Sequence, residues 1–163
     1  MHLAAFAYVR RAVVQYGPWD SAVEIGSRNI NGSVRRLFPD TQYVGLDLVD
    51  GDGVDVVTSA TDWKPVRQVG CVVCCEVLEH DPAPELIVGH AASWIELGGH
   101  LIVTCAGPGR APHSAVDGGE VRDGEHYRNV GVDELCQWAT GAGLTIIEAE
   151  LDQGDTRMVA QFV

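Results

Sequence analysis

Four short segments carry side chains suited to chemistry rather than to a core. VEIGSRNING (23–32) ends an apolar run with Glu24, Gly26, Ser27 and Arg28. YVGLDL (43–48) ends in Asp47 and Leu48, and Asp47 lies roughly 20 residues beyond Gly26. A glycine that brings the backbone close to a ligand, followed at that offset by an acid, is a pattern for holding ribose hydroxyls. SATDW (59–63) places Asp62 and Trp63 where an adenine edge is read. CEVLEHDP (75–82) puts Cys75, Glu76, Glu79 and His80 after a long apolar run, where polar groups do not serve a core; for Glu79 alone a solvated helix entrance is the expectation. His126, His113 and His80 are the candidate general bases, because an unperturbed imidazole titrates near pH ~6.5. Tyr127 stands beside His126 as a candidate acceptor contact. The plainer readings are a tight turn, a helix cap and exposed loop histidines.

These segments need a frame, and the hydrophobic periodicity supplies one. Strands are expected at SAVEI (21–25), YVGLDL (43–48), VDVV (54–57), CVVCCEVL (71–78), HLIVTCA (100–106), LTIIEAEL (144–151) and TRMVAQFV (156–163). Phe6, Val9, Val13 and Tyr16 predict a helix over 3–16, stopped by Gly17-Pro18. A short helix is expected from Val34 to Phe38. Another should open with Asp81 as N-cap and Pro82 in the first helical position. It should run through Leu86, Ile87, Ile95 and Leu97 to Gly98-Gly99. Val132 to Thr140 predicts a further helix. The last two strands should form an antiparallel hairpin. The Gly/Pro-rich stretch 107–126 reads as a lid or binding loop. Strands alternating with helices imply a mostly parallel sheet, whose ligands sit at the carboxyl ends of the strands.

Composition bounds the partners. The chain has 163 residues, 46% hydrophobic and 21% charged, which is a globular balance and the size of a single domain spanning 1–163. Net charge is -12, and the only basic pairs are Arg10-Arg11 and Arg35-Arg36, so no nucleic-acid partner is expected. No apolar run reaches bilayer length and the first residues make a poor signal peptide. A cytoplasmic protein without a membrane partner is therefore expected. Five cysteines at irregular spacing fit reduced thiols. In a strand Cys71 and Cys75 face one way and Cys74 the other, so no metal site is expected there. Arg28 and Asn31 stand where the G-x-G-x-x-G fingerprint needs glycine, which argues against a nicotinamide cofactor.

Taken in order, these segments resemble the class I S-adenosylmethionine-dependent methyltransferases of the small-molecule type, over about residues 20–150. VEIGSRNING is similar to their first motif, with Glu24 and Gly26 in place and Ser27 and Arg28 in its loop. Arg28 and Ile30 depart from it, standing where glycine is common. The resemblance implies that Asp47, next to Leu48, binds both ribose hydroxyls, and that Asp62 and the Trp63 backbone contact adenine. CEVLEH, carrying Cys75 and Glu76, looks like the fourth-strand signature. GGHLIVTCAGPG resembles the fifth strand and its exit, and EHYRNVGVDELCQWATGAGL the following loop, helix and Gly-Leu turn. It also implies an α/β, three-layer Rossmann-like methyltransferase fold: a mostly parallel seven-stranded sheet in the order 3-2-1-4-5-7-6 with a C-terminal antiparallel hairpin. The implied activity is S-adenosylmethionine-dependent methyl transfer to a small-molecule acceptor, with His126 as the first choice of base and Arg28 turned toward the cofactor carboxylate or the acceptor. The alternative is a catalytically inactive methyltransferase-like fold acting as a cofactor-binding or interaction module.

Overall fold

The computed structural model describes residues 2–163. Seven strands form one sheet: β1 (Ser21–Ile25), β2 (Gln42–Asp47), β3 (Val56–Val57), β4 (Val69–Cys75), β5 (Ile95–Ala106), β6 (Thr145–Asp152) and β7 (Asp155–Gln161). Their order is β3-β2-β1-β4-β5-β7-β6, as the resemblance implied. β1 to β5 are mutually parallel, and β7 runs antiparallel to both β5 and β6. Among the described residues three α-helices flank the sheet: α1 (Leu3–Tyr16), α2 (Pro84–Trp94) and α3 (Val132–Gly141).

Strand alternation sorts the side chains into two cores. Val72 and Cys74 of β4 pack with Ile87 and Ala91 of α2 and Leu135 of α3. Cys71, Val73 and Cys75 pack on the opposite face with Tyr8, Val9 and Ala12 of α1. β4 is buried at every position, which is why CVVCC is apolar without alternation. The cysteines are free and serve as small core residues; burial pushes the Cys71 and Cys74 thiols well above their usual range.

Several boundaries differ from the sequence reading. β4 ends at Cys75 rather than Leu78, because Glu76 takes a left-handed φ of 57° and turns the chain into a short 3-10 segment, Leu78–His80. α2 starts at Pro84 rather than Pro82: Asp81 Oδ1 accepts the Ala83 N–H at 2.8 Å, so its side chain closes the preceding turn instead of capping the helix. α2 stops at Trp94, and Ile95 and Leu97 belong to β5, where Ile95 pairs with Val69 across a bulge. The helix expected from Val34 to Phe38 is one 3-10 turn, Arg35–Leu37.

Candidate functional site

The parallel strands bring the carboxyl ends of β1, β2 and β4 together, and two cavities open there. The smaller, of about 200 Å³, is lined by Gly26, Ser27, Asp47, Leu48, Ser59 and Glu76, among others. Its shape depends on Gly26, which has φ 79°; a Cβ there would run into Val77 Cγ2, so only glycine keeps this wall open. The Gly26 and Ser27 N–H groups both donate to Leu46 O at 2.9 Å, locking the loop to β2. Asp47 Oδ2 accepts the Arg28 N–H at 3.1 Å, and Oδ1 the Val49 N–H at 3.0 Å. Ser27 Oγ is buried without a partner. Glu24 is also buried; Tyr43 Oη donates to it at 2.8 Å, yet burial pushes its carboxyl up to about 7.

Glu24, Gly26, Ser27, Arg28, Asp47, Leu48, Cys75 and Glu76 thus meet at one cavity. Asp62 and Trp63 do not. The Asp62 N–H donates to Ser59 O at 3.1 Å, a turn that leaves Asp62 exposed and sends Trp63 edge-on against Trp94, ring centres 5.3 Å apart. Thr58, Ser59 and Ala60 take their place on the wall. The Arg28 side chain lies over Gly51. The β1 loop lacks the alternating glycines and is held by side chains instead: Asn29 Oδ1 accepts the Gly32 N–H at 3.0 Å and Asn29 Nδ2 donates to Asp52 Oδ2 at 2.7 Å.

The second cavity, of about 1140 Å³, adjoins the first and shares Ile30, Gly32, Glu76, His80 and Ala115 with it. His2, Glu76 and Arg110 line it and meet the fully buried Asp155 behind them; neither His2 nor Asp155 had any signal in the sequence. Arg110 donates to Glu76 Oε2 at 2.6 Å and to Asp155 Oδ1 at 2.8 Å. His2 Nε2 lies 3.1 Å from Asp155 Oδ1 and 3.5 Å from Glu76 Oε2, and Arg157 donates to Asp155 at 3.2 Å. Burial works to raise Glu76, but the hydrogen bonds from His2 and Arg110 prevail and hold it well below the usual carboxylate range. Hydrogen bonding to Asp155 and Glu76 raises His2 to about 9. A raised imidazole contributes stability that is complete below its unfolded value near ~6.5 and lost as pH climbs through its folded value. Thermal unfolding midpoints should therefore fall between pH 6.5 and 9, and His2→Gln should flatten that slope. An equal slope in the variant would remove His2 from the account.

Beyond His80 the wall is aromatic. His80 and His113 stand edge to face at 5.0 Å, and Tyr127 lies 5.6 Å and 5.0 Å from them. Beneath them Glu79 is fully buried, not a solvated helix entrance. Its Oε1 accepts the Ala106 N–H at 3.0 Å, and His113 Nε2 is 4.0 Å away. Burial, with Glu76 adding to it, pushes the Glu79 carboxyl up, and burial beside His113 lowers His80 to about 4. His126 is exposed and lines neither cavity. Tyr127 lines neither cavity but packs against His80 and His113, its hydroxyl donating to Ala111 O at 3.1 Å, while Glu125 fastens the loop by accepting from Ser114 Oγ at 2.8 Å. Of the stretch 107–126, Arg110, Ala111, His113, Ser114, Ala115 and Gly118 line the larger cleft.

The comparisons agree with this geometry. A family model described as a methyltransferase domain matches residues 17–149. No curated protein matches the chain. Among solved structures, the N-methyltransferase NodS of Bradyrhizobium japonicum, in complex with S-adenosyl-L-homocysteine, aligns with TM-score 0.71 at 15% identity. That alignment covers 98% of this chain and 86% of the other. The 1,6-didemethyltoxoflavin N1-methyltransferase of Burkholderia thailandensis aligns with TM-score 0.72 at 14% identity, over 98% and 77%. An S-adenosylmethionine-dependent methyltransferase of Clostridium acetobutylicum aligns with TM-score 0.72 at 10% identity, over 99% and 92%. At these identities the structures establish the shared fold. With the family match over residues 17–149, the chain belongs to the methyltransferase domain family, in its class I, S-adenosylmethionine-dependent branch.

Proposed function

We propose that residues 1–163 form one methyltransferase domain that binds S-adenosylmethionine in the smaller cavity and methylates a small-molecule acceptor held in the larger cleft. The observation that carries this reading is that the two cavities meet along a shared border that includes Glu76 and His80. The residues present fit the cofactor: an open cradle at Gly26, a buried unpartnered Ser27 Oγ, and an Asp47 carboxylate whose oxygens each accept one backbone N–H and keep a lone pair for a ribose hydroxyl. Leu48 and Ser59–Ala60 wall the base side in place of Asp62 and Trp63.

S-adenosylmethionine supplies an electrophilic methyl group carried on a sulfonium. The transition state disperses positive charge, so the protein's share is alignment and exclusion of water. Glu76, paired to Arg110 and His2, fixes the border between the cavities, and His80 and His113 are the acceptor-side groups. A net charge of -12 disfavours a phosphate-backbone acceptor, and no described helix is long and apolar enough to cross a membrane. Calorimetric titration should show one site for S-adenosylhomocysteine and no heat with NAD. A folded protein that takes neither, or NAD alone, would sink the reading.

A further inference from the structure

We propose that Glu79, His80 and His113 form a binding site for one divalent transition-metal ion of the zinc class on the wall of the larger cleft. Each offers one ligand atom, and the three atoms lie within 4.8 Å of one another. Two imidazoles and a carboxylate are a donor set that such ions take, and three protein ligands leave a coordination position open. His80 and His113 both line the cleft, so that position faces it.

Two buried atoms of this cluster have no partner. Glu79 is fully buried, its Oε1 is satisfied by the Ala106 N–H, and its Oε2 has no partner. His80 Nδ1 is buried and unpartnered as well. Native interiors rarely leave such atoms unpaired, and a buried carboxylate needs a cation or a proton beside it. His113 is prepared on its far side: Nδ1 lies 3.3 Å from Ala111 O, which favours the proton there and leaves Nε2 as the free donor atom. Nε2 is 4.0 Å from Glu79 Oε1, beyond a hydrogen bond. Bonds of about 2.0–2.2 Å to one tetrahedral ion set ligand atoms somewhat closer than this. A small inward shift of the loop that carries His113 would close the set around an ion. Glu79 and His80 are already placed by the 3-10 turn Leu78–His80.

The other groups able to ligate are accounted for. His2, Glu76 and Asp155 also cluster, but the Arg110 guanidinium already bonds both carboxylates and fills the cation's place. Cys71, Cys74 and Cys75 are split between two core faces. An ion with a free position toward the cleft gives an acceptor hydroxyl a Lewis acid to bind, which lets its proton leave to solvent water and keeps an oxygen lone pair free to take the methyl group. This role rests on the acceptor cleft proposed above; the binding of the ion does not.

The test uses tag-free protein dialysed against a chelator and titrated calorimetrically with Zn2+. One equivalent should bind, and His113→Ala and His80→Ala should each weaken it by about 100-fold or more. His90→Ala and Cys74→Ala should bind like the parent. Glu79→Gln is informative where circular dichroism shows it folded, and the loop variant His113→Ala keeps the test decisive where it is not. No stoichiometric binding, binding that survives both histidine variants, or binding lost only in His2→Ala would overturn the proposal. S-adenosylhomocysteine titrated into the same samples reports separately. Its failure would sink the cofactor reading and leave the ion site standing.

Discussion

Asp47→Ala should weaken S-adenosylhomocysteine binding by about 2–4 kcal/mol, roughly 30- to 900-fold. Hydrogen bonds to a charged acceptor are each worth about 1.5–3 kcal/mol, and two made by one carboxylate do not add fully. Asp47 also receives the Arg28 and Val49 N–H groups, so the variant loosens the turn beside the cradle as well as removing the proposed ribose contact. It should still fold, since the residue stands at the end of β2 and is half-buried. Calorimetry and a thermal melt on the same sample separate the two effects. Unchanged affinity in a folded variant takes Asp47 out of the site.

Arg110→Met should cost about 2–3 kcal/mol of folding stability at pH 7. Stranding one partner of a buried ion pair costs about 3–5 kcal/mol, and here His2 and Arg157 still attend Asp155, which lowers the figure. Glu76 is left with His2 and the Thr104 hydroxyl. Because the folded Glu76 titrates below its unfolded range, the stability it contributes is present above about pH 4.5 and lost as pH falls through its folded value. The variant's deficit should therefore be largest at neutral pH and shrink toward pH 3. Urea unfolding at both pH values measures this. A deficit that does not change with pH would assign the loss to packing rather than charge.

Much of the frame was legible in the residues. The period-2 and apolar runs located all seven strands, and the two-sided burial of β4 was visible in CVVCC. Ends were harder to place. Nothing local in LEHDPAP says that Asp81 bonds the Ala83 N–H and yields the helix start to Pro84. The apolar spacing of Ile95 and Leu97 suits a helix, and pairing of Ile95 with Val69 overrides it. The candidate site divides the same way. Gly26, Asp47 and Glu76 sit on strand ends, so their order in the chain fixes their meeting. His113 and His126 sit on a long loop, where tertiary contacts at Ala111 and Ser114 decide which side chain turns inward. The fourfold charge cluster joins residues 2, 76, 110 and 155, a set no local pattern encodes.

The position of β7 has a consequence for how the chain is made. It follows every other strand in the sequence yet lies inside the sheet, between β5 and β6. During synthesis β1, β2 and β4 emerge first and can pair early. β5 then presents an open edge over His100–Ala106 until the last strand leaves the ribosome. β6 has no place in the sheet before that moment, because its only strand partner is β7. The first residue of β7 is Asp155, which completes the Arg110 and His2 pairing. Nascent chains short of it carry a nearly finished cofactor cradle with an unprotected sheet edge, the stage at which a chaperone has the most to cover.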